Sequence, residues 1–167
     1  MQEMVIYGVS FDVVGKQPIV LLKTLGGNRF LPIWIGHAEA AAIVSKLQGA
    51  EPPRPMTHDL LNALLGELNT RVTRVTVTEL RENTFYAKIT LDPSVSGEEI
   101  QVDSRPSDAI AIAIRANAPI FADEKVLEEN AIELEHESED GDTEETVEQF
   151  KEFLESVSPE DFAQGES

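Results

Sequence analysis

The sequence predicts an α+β domain made of two copies of a β-β-β-α unit, followed by an acidic C-terminal tail. Short runs rich in β-branched and aromatic residues indicate the strands, and apolar residues three or four positions apart indicate the helices. Shifting the chain by 69 residues, which places Val5 on Arg74, superposes three predicted strands and a helix without a gap. With 167 residues, the chain is long enough for one compact domain with a substantial core.

The predicted elements follow the same order in both units. Strands are predicted at residues 5–10, 19–22 and 30–35 in the first unit, and at residues 74–79, 88–91 and 99–104 in the second. Each unit ends in a helix, at residues 39–47 and from residue 108 onward. Turns at residues 15–18, 25–28 and 81–83 contain Gly, Asn or Pro, the residue types that favour chain reversal.

A further helix is predicted between the two units, at residues 57–68. Prolines at residues 52, 53 and 55 end the preceding helix and keep the intervening loop extended. Five leucines then share one face of the new helix: Leu60, Leu61, Leu64, Leu65 and Leu68. The second unit contains one ambiguous segment, because Ile110, Ile112 and Ile114 alternate with alanines as in a strand. We predict a helix there, since Ser107 suits a helix start and the first unit has a helix at the equivalent position.

Negative charge is concentrated near the C-terminus. Residues 1–122 contain 11 Lys+Arg and 13 Asp+Glu, whereas residues 123–167 contain 2 Lys+Arg and 18 Asp+Glu. We therefore expect a domain at residues 1–125 and a partly disordered extension at residues 126–167. The extension has a predicted amphipathic helix, with apolar positions at Val147, Phe150, Phe153, Leu154 and Val157. This helix could pack loosely, dock on a partner or another subunit, or mimic nucleic acid over a basic groove.

Composition restricts the classes of function. The absence of cysteine excludes a disulfide framework and a Cys-based metal site. The N-terminus carries an acid and lacks the basic region of a secretory signal, and the apolar run near Ile110 is too short to span a membrane. We expect a cytoplasmic protein without a membrane association and without an organic cofactor.

Titratable side chains cluster at three predicted helix N-termini. The first helix start carries His37 and Glu39, and the other two carry the segments Arg54-Pro55-Met56-Thr57-His58-Asp59 and Asp103-Ser104-Arg105-Pro106-Ser107-Asp108. Capping explains part of this pattern, since Thr57 and Ser107 are suitable N-caps with Asp59 and Asp108 in the first turn. Capping does not require an upstream arginine, His58 or Asp103. Alternatively, Arg54 and Arg105 pair with Asp108 and Asp59 and hold the two units together.

The same residues meet the requirements of metal-assisted phosphodiester hydrolysis, although their spacing does not diagnose it. Carboxylates and water hold Mg²⁺ or Mn²⁺, and the candidate metal ligands are Asp59, Asp103 and Asp108. Arginine and a helix N-terminus bind phosphate, and the candidates are Arg54 and Arg105 with Thr57 and Ser107. Proton transfer needs a group such as His58, so the candidate catalytic residues are His58, Asp59 and Asp108. His37 and Glu39 are secondary candidates.

Six segments, taken in order and with their spacing, resemble the bifunctional nuclease domain family over about residues 4–125, and the chain is similar to its bacterial members. They are Leu31-Pro32-Ile33-Trp34-Ile35-Gly36, Glu39-Ala40, Arg54-Pro55-Met56-Thr57-His58-Asp59-Leu60-Leu61, Thr84-Phe85-Tyr86-Ala87, Val102-Asp103-Ser104-Arg105-Pro106-Ser107-Asp108-Ala109-Ile110-Ala111 and Ala118-Pro119-Ile120-Phe121. The resemblance implies a compact α+β domain with a mixed sheet, a homo-oligomer (dimer or trimer) and nuclease activity on DNA and RNA.

Three functions remain open on the sequence alone. The first is a nuclease that acts on single-stranded DNA or RNA with help from a divalent metal ion. The second is a non-enzymatic regulatory or scaffold oligomer, in which the Arg/Asp motifs are structural and the tail binds a protein partner of unknown identity. Binding of a nucleotide or another anion at the helix N-termini is a third option. The near-neutral domain argues against strong nucleic-acid binding, which usually depends on Lys/Arg-rich surfaces.

Overall fold

Eight strands in one mixed sheet and four helices make up the part of the chain that the computed structural model describes, which is residues 1–11, 15–93 and 97–133. The strands are β1 (Gln2–Phe11), β2 (Pro18–Thr24), β3 (Arg29–Trp34), β4 (Thr70–Arg81), β5 (Thr84–Pro93), β6 (Ile100–Ser104), β7 (Ile120–Ala122) and β8 (Ile132–Glu133). The helices are α1 (His37–Leu47), α2 (Thr57–Glu67), α3 (Pro106–Ala116) and α4 (Glu124–Asn130). The predicted α+β class is confirmed.

The sheet has the strand order β6-β5-β4-β7-β1-β2-β3-β8. The strands β1–β3 and β4–β6 form two antiparallel meanders, and β7 joins them by pairing antiparallel with β1 and parallel with β4. Strands β1 and β4 therefore run in opposite directions, as expected if the two units are related by an approximate twofold axis. The single parallel pair makes the sheet mixed.

The duplicated β-β-β-α order is present in the structure. A shift of 69 residues places α1 at residues 37–47 on α3 at residues 106–116, end to end, and the three strands of each unit overlap. The segment with alternating Ile and Ala is helical, as predicted, and seven residues of α3 are buried. Helix α3 packs against α1, α2, β4 and β5. Its alanines allow this close approach on several sides, which explains why the segment lacks a clear polar face.

The predicted N-caps were wrong. The N-cap of α2 is Met56 and that of α3 is Arg105, and neither makes a capping hydrogen bond through its side chain. Pro106 occupies the first turn of α3, where its fixed φ favours a helix start, so Ser107 lies inside the helix. At α2 the backbone N–H of the N-cap residue Met56 donates to Asp59 Oδ2 at 2.9 Å, so the acid in the first turn binds back to the N-cap backbone.

The C-terminal part of the described chain packs on the domain. Helix α4 crosses the expected domain boundary at residue 125, Val126 and Leu127 are buried in the core, and β8 pairs with β3. The boundary stays a prediction, as do the partial disorder and the amphipathic helix of the tail, because residues 134–167 lie outside the described residues. Among the described residues, no helix is long and apolar enough to cross a membrane.

Candidate functional site

Six charged or titratable side chains join α1, α2 and α3 on the helix side of the sheet. We call this set the helix-junction network, and it consists of Glu39, His58, Asp59, Arg105, Asp108 and Arg115. Arg105 is its outermost member, with Nη1 at 2.9 Å from Glu39 Oε1 and Nε at 2.7 Å from Asp108 Oδ2. Gly36 contributes indirectly, since a Cβ at that position would overlap the Glu39 carboxylate.

Asp108 connects Arg105 to His58. The Nε2 atom of His58 lies 2.9 Å from Asp108 Oδ1. An ionised carboxylate only accepts hydrogen bonds, so this contact places a proton on Nε2 and leaves Nδ1 as the acceptor nitrogen when the ring is neutral. Burial raises the pKa of Asp108, but the hydrogen bonds from Arg105 and His58 outweigh it and the net pKa is lowered. Asp108 is therefore ionised at neutral pH and orients the imidazole ring.

Asp59 is held by Arg115 at the other end of the network. Arg115 Nε donates to Asp59 Oδ1 at 2.6 Å, and its Nη1 and Nη2 atoms donate to the carbonyl oxygens of Ala111 and Ala42. The Arg115 side chain is only 5% exposed. The hydrogen bond from Arg115, followed by that from the Met56 N–H, lowers the pKa of Asp59. One guanidinium thus ties α2 and α1 to α3.

A cleft of about 240 Å³ opens at the N-terminus of α3, and we call it the α3 cleft. Its walls are the end of β3, the β4–β5 turn and the first residues of α3. Trp34 and Phe85 provide apolar surface, whereas Arg105 and the buried Ser107 provide polar groups. The free N–H groups of a helix start carry partial positive charge, so this end of the cleft suits an anion.

A second cleft of about 320 Å³ lies beside the loop between α1 and α2, and we call it the proline-loop cleft. It is lined by three basic side chains, Lys46, Arg54 and Arg115, together with the acids Glu51 and Asp59. Arg54 is exposed and makes no ion pair with any described residue. The expected Arg54–Asp108 and Arg105–Asp59 pairs are therefore absent from the described residues, because Arg105 pairs with Asp108 and Arg115 pairs with Asp59.

The predicted site residues are not all brought together. Asp103 is exposed on β6 and is paired in register with Lys88, whereas the flanking Val102 and Ser104 are on the same side of the sheet as the core residues Ile89 and Ala87. Asp103 therefore lies on the sheet face opposite to Asp59 and Asp108. Thr57 is exposed at the start of α2, and His37 is exposed with its ring 6.3 Å from that of Phe11.

The carboxylates do not fit the predicted metal site. Asp59 and Asp108 each accept hydrogen bonds from an arginine, and Asp103 is on the other face of the sheet. Within the residues that the structure describes, no group of three His, Asp or Glu side chains is placed to hold a metal ion. A set of ligands supplied by the protein alone is thus not assembled from these three aspartates.

Arg115 was missed as a site residue by the reasoning from sequence. The available signal was a lone cation in the last turn of a largely apolar helix. A charged residue in such a helix is rarely buried without a partner. That rule predicts a buried counter-ion, although it does not identify Asp59.

Known proteins provide an independent comparison. The family model described as "Bifunctional nuclease domain" matches residues 20–135, which is more than half of the chain. An uncharacterized protein of Mycobacterium tuberculosis strain H37Rv is 44% identical over 97% of this chain and 98% of its own length. Bifunctional nuclease 1 of Oryza sativa subsp. indica is 27% identical over 74% of this chain, but the match covers 38% of the plant protein. Bifunctional nuclease 1 of Arabidopsis thaliana is 26% identical over 65% of this chain and 34% of its own length.

An α+β fold with a repeated order of elements, and a network of titratable side chains that joins three helices, define a domain with a candidate hydrolytic or anion-binding site. The chain belongs to the bifunctional nuclease domain family.

Proposed function

We propose that this protein is a nuclease that hydrolyses phosphodiester bonds in single-stranded DNA or RNA. Family membership supports the class of reaction. The observation that carries the proposal is the Arg105–Asp108–His58 chain, in which one carboxylate orients a histidine beside a solvent-reaching arginine and a helix N-terminus. No other described part of the molecule combines an anion-binding feature with an oriented proton acceptor.

The phosphate-binding part consists of Arg105 and the start of α3. The Arg105 side chain is 64% exposed, so its guanidinium can reach a ligand while Nε stays on Asp108. The backbone N–H groups of Ser107 and Asp108 belong to the first turn of α3, and these groups have no partner within a helix. A phosphate at this position would receive donors from both sources, with Ser107 Oγ at the wall of the α3 cleft.

The proton-transfer part is His58. Its Nε2–H is held by Asp108, so Nδ1 is the atom that accepts a proton from an attacking water. Protonation makes the ring an imidazolium, and the ionised Asp108 stabilises that charge as an orienting carboxylate does in a catalytic triad. The His58 side chain is 11% exposed, which restricts access to a small part of the ring and keeps the ring in one orientation.

A flexible single strand suits the α3 cleft better than a duplex. Bases that are not paired can stack on aromatic rings, and stacking provides affinity without a strongly basic surface. Trp34 and Phe85 line the cleft beside Arg105. This combination supports single-stranded DNA or RNA as the substrate, since residues 1–122 hold 11 Lys+Arg against 13 Asp+Glu.

Assistance by Mg²⁺ or Mn²⁺ is a separate part of the proposal. The described carboxylates do not form a site for the ion, so we assign no step of the reaction to it. If a divalent ion does assist, phosphate oxygens and water must supply most of its ligands, as is common for Mg²⁺. Comparison of cleavage in Mg²⁺, in Mn²⁺ and in EDTA tests this requirement without any variant.

The test is cleavage of end-labelled single-stranded RNA and DNA by the purified full chain and by Asp108→Asn and His58→Gln. We expect each substitution to reduce the rate by about a hundredfold or more, the range for general acid–base catalysis. Asp92→Asn is the matched control, because Asp92 pairs with Arg71 at the end of β5, away from the network. Cleavage that survives in both network variants, with circular dichroism like the parent, would show that the site lies elsewhere.

A non-enzymatic oligomeric scaffold is the second candidate. Two observations favour it: arginines hold both aspartates of the network, and large apolar side chains on the outer surface of α2 are exposed. Under this proposal the network fixes the packing of three helices, the protein forms a dimer or trimer, and the tail binds a partner. Sedimentation analysis of the full chain, together with an absence of cleavage in Mg²⁺ and Mn²⁺, would support it over the nuclease.

A further inference from the structure

Helix α2 packs with its polar side inward and its apolar side outward. None of its residues is fully buried. His58, Asp59, Asn62 and Leu65 are half-buried, whereas Leu60, Leu61, Leu64 and the following Leu68 are between 41% and 68% exposed. Met56, just before the helix, is 59% exposed, and Leu47 at the end of α1 is 50% exposed. We call Met56, Leu60, Leu61, Leu64 and Leu68 the α2 leucine face.

An exposed apolar face of this kind indicates a surface on which another segment packs. A contiguous exposed apolar patch on a soluble protein usually marks an interaction site. The polar contacts of His58 and Asp59 with α3 determine the orientation of α2, so the helix cannot rotate its leucines inward without breaking two ion pairs. The leucine face is therefore a surface for another segment rather than an incompletely packed core.

The acidic tail of the same chain contains a segment with apolar residues that match the α2 leucine face. Apolar residues at Val147, Phe150, Phe153, Leu154 and Val157 have helical spacing, and acids occupy intervening positions. An isolated helix of this length is marginal in water, so its apolar side needs a surface to pack on. We propose that residues 147–157 of the tail dock on the α2 leucine face of the same chain.

The tail is long enough to reach this surface. The thirteen residues at positions 134–146 connect the last described residue to the first apolar position of the segment, and they span up to about 43 Å when extended. In the sheet order, β8 is five strands from β4, and α2 packs against β4. That separation is about 24 Å, with about 10 Å more for the helix layer.

Charge and effective concentration favour the tail over a second copy of the chain. Residues 134–167 contain thirteen acids and one lysine, and the exposed Lys46 and Arg54 lie in the proline-loop cleft beside the N-terminal end of α2. A tethered segment also has a high local concentration, typically millimolar for a short flexible linker. Two leucine faces from separate chains would bring the same basic groups together.

Docking would add a level of control to the proposed nuclease. The acids that precede the apolar segment, such as Glu144 and Glu145, would lie toward the basic side chains of the proline-loop cleft and repel a nucleic-acid strand that extends beyond the α3 cleft. The docking itself does not depend on nuclease activity, so a failure of one proposal leaves the other testable.

Disulfide cross-linking tests the docking, because the chain has no native cysteine. The test variant carries Leu64→Cys and Phe153→Cys, and the matched control carries Leu25→Cys and Phe153→Cys. Leu25 is 57% exposed and belongs to the turn before β3, the strand that pairs with β8, so it is closer to the origin of the tail. Both variants are oxidised mildly at low protein concentration and separated without reductant.

We expect the Leu64/Phe153 pair to form a disulfide of monomer mass at least about tenfold faster than the control pair, as docking raises the local concentration of one thiol near the other. Equal rates in the two pairs would overturn the proposal. A product of dimer mass from the Leu64/Phe153 pair, or from Leu64→Cys alone, would assign the leucine face to a second copy instead.

Discussion

Arg115 holds three helices through one side chain, and this role explains the position of a cation in an apolar helix. Its guanidinium satisfies Asp59 and two carbonyl oxygens, those of Ala42 and Ala111. Removing one partner of a buried ion pair is costly because the other charge loses its compensation. The Arg115–Asp59 pair therefore fixes how the three helices pack, and breaking it costs more than the intact pair contributes to the free energy of unfolding.

Replacement of Arg115 by Met should therefore destabilise the domain by about 3 kcal/mol, the lower end for a broken buried pair because Asp59 is partly exposed. Urea unfolding followed by circular dichroism measures the change. Arg71→Met is the matched control, since Arg71 is 78% exposed and its pair with Asp92 should contribute less than about 1 kcal/mol. Equal losses in the two variants would contradict the assignment of Arg115 as the residue that joins the helices.

The two aspartates of the network predict how stability depends on pH. The pKa values of Asp59 and Asp108 are lower in the folded protein, so the unfolded chain binds protons first as the pH falls. Their contribution is fully present above the ordinary aspartate pKa of about 3.9 and is lost below it. Unfolding free energies at pH 7 and pH 3 should differ less in Asp59→Asn than in the parent, and an unchanged difference would contradict this account.

Asn117 ends α3 in a conformation that few residues adopt. Its φ of 51° and ψ of 39° are left-handed, a region that favours Gly and Asn at helix C-termini. The residue is exposed, so a substitution changes the backbone energy with little effect on packing.

Asn117→Ala should destabilise the domain by about 1 kcal/mol, because a Cβ without a compensating amide strains this conformation. Asn117→Gly should be neutral or slightly stabilising. Thermal unfolding of both variants provides the comparison, and a lower Tm for the glycine variant would argue against a left-handed helix end.

At the scale of elements, periodicity predicts which segments are helices but not which side of a helix is buried. The leucines of α2 predicted the helix correctly, yet the side that packs on α3 is the one with His58 and Asp59. Ordinarily the apolar face is the buried one. The reversal arises from long-range ion pairs with α3, fifty or more residues away in sequence, which no local pattern encodes.

At the scale of the whole molecule, features set by local sequence patterns were again predicted, and features set by long-range pairing were not. The shift of 69 residues predicted two units of equal order, and the helices α1 and α3 coincide under it. The insertion of β7 between β4 and β1 was not predicted, because a three-residue strand has no periodicity of its own. For the candidate site, the helix starts identified His58, Arg105 and Asp108, but only the sheet register separates Asp103 from them.

The tail dominates the charge of the molecule and should limit its binding to nucleic acid. Residues 134–167 contribute thirteen acids and one lysine, so a chain that ends at Glu133 changes from −18 to −6. Repulsion between the tail and phosphates acts within a Debye length, about 8 Å at physiological salt and about 30 Å at 0.01 M. Truncation should therefore increase affinity for single-stranded RNA several-fold at low salt and much less at high salt.

Two full-length variants distinguish whether the tail lowers the affinity for RNA through its charge alone or through docking on the α2 leucine face. One variant replaces Glu144, Glu145 and Glu148 by Gln, and the other replaces Phe150 and Phe153 by Ser. If docking places the acids over the proline-loop cleft, the serine variant should increase RNA affinity by fluorescence anisotropy although its net charge is unchanged. An increase in the glutamine variant alone would mean that the tail repels nucleic acid without occupying the α2 leucine face.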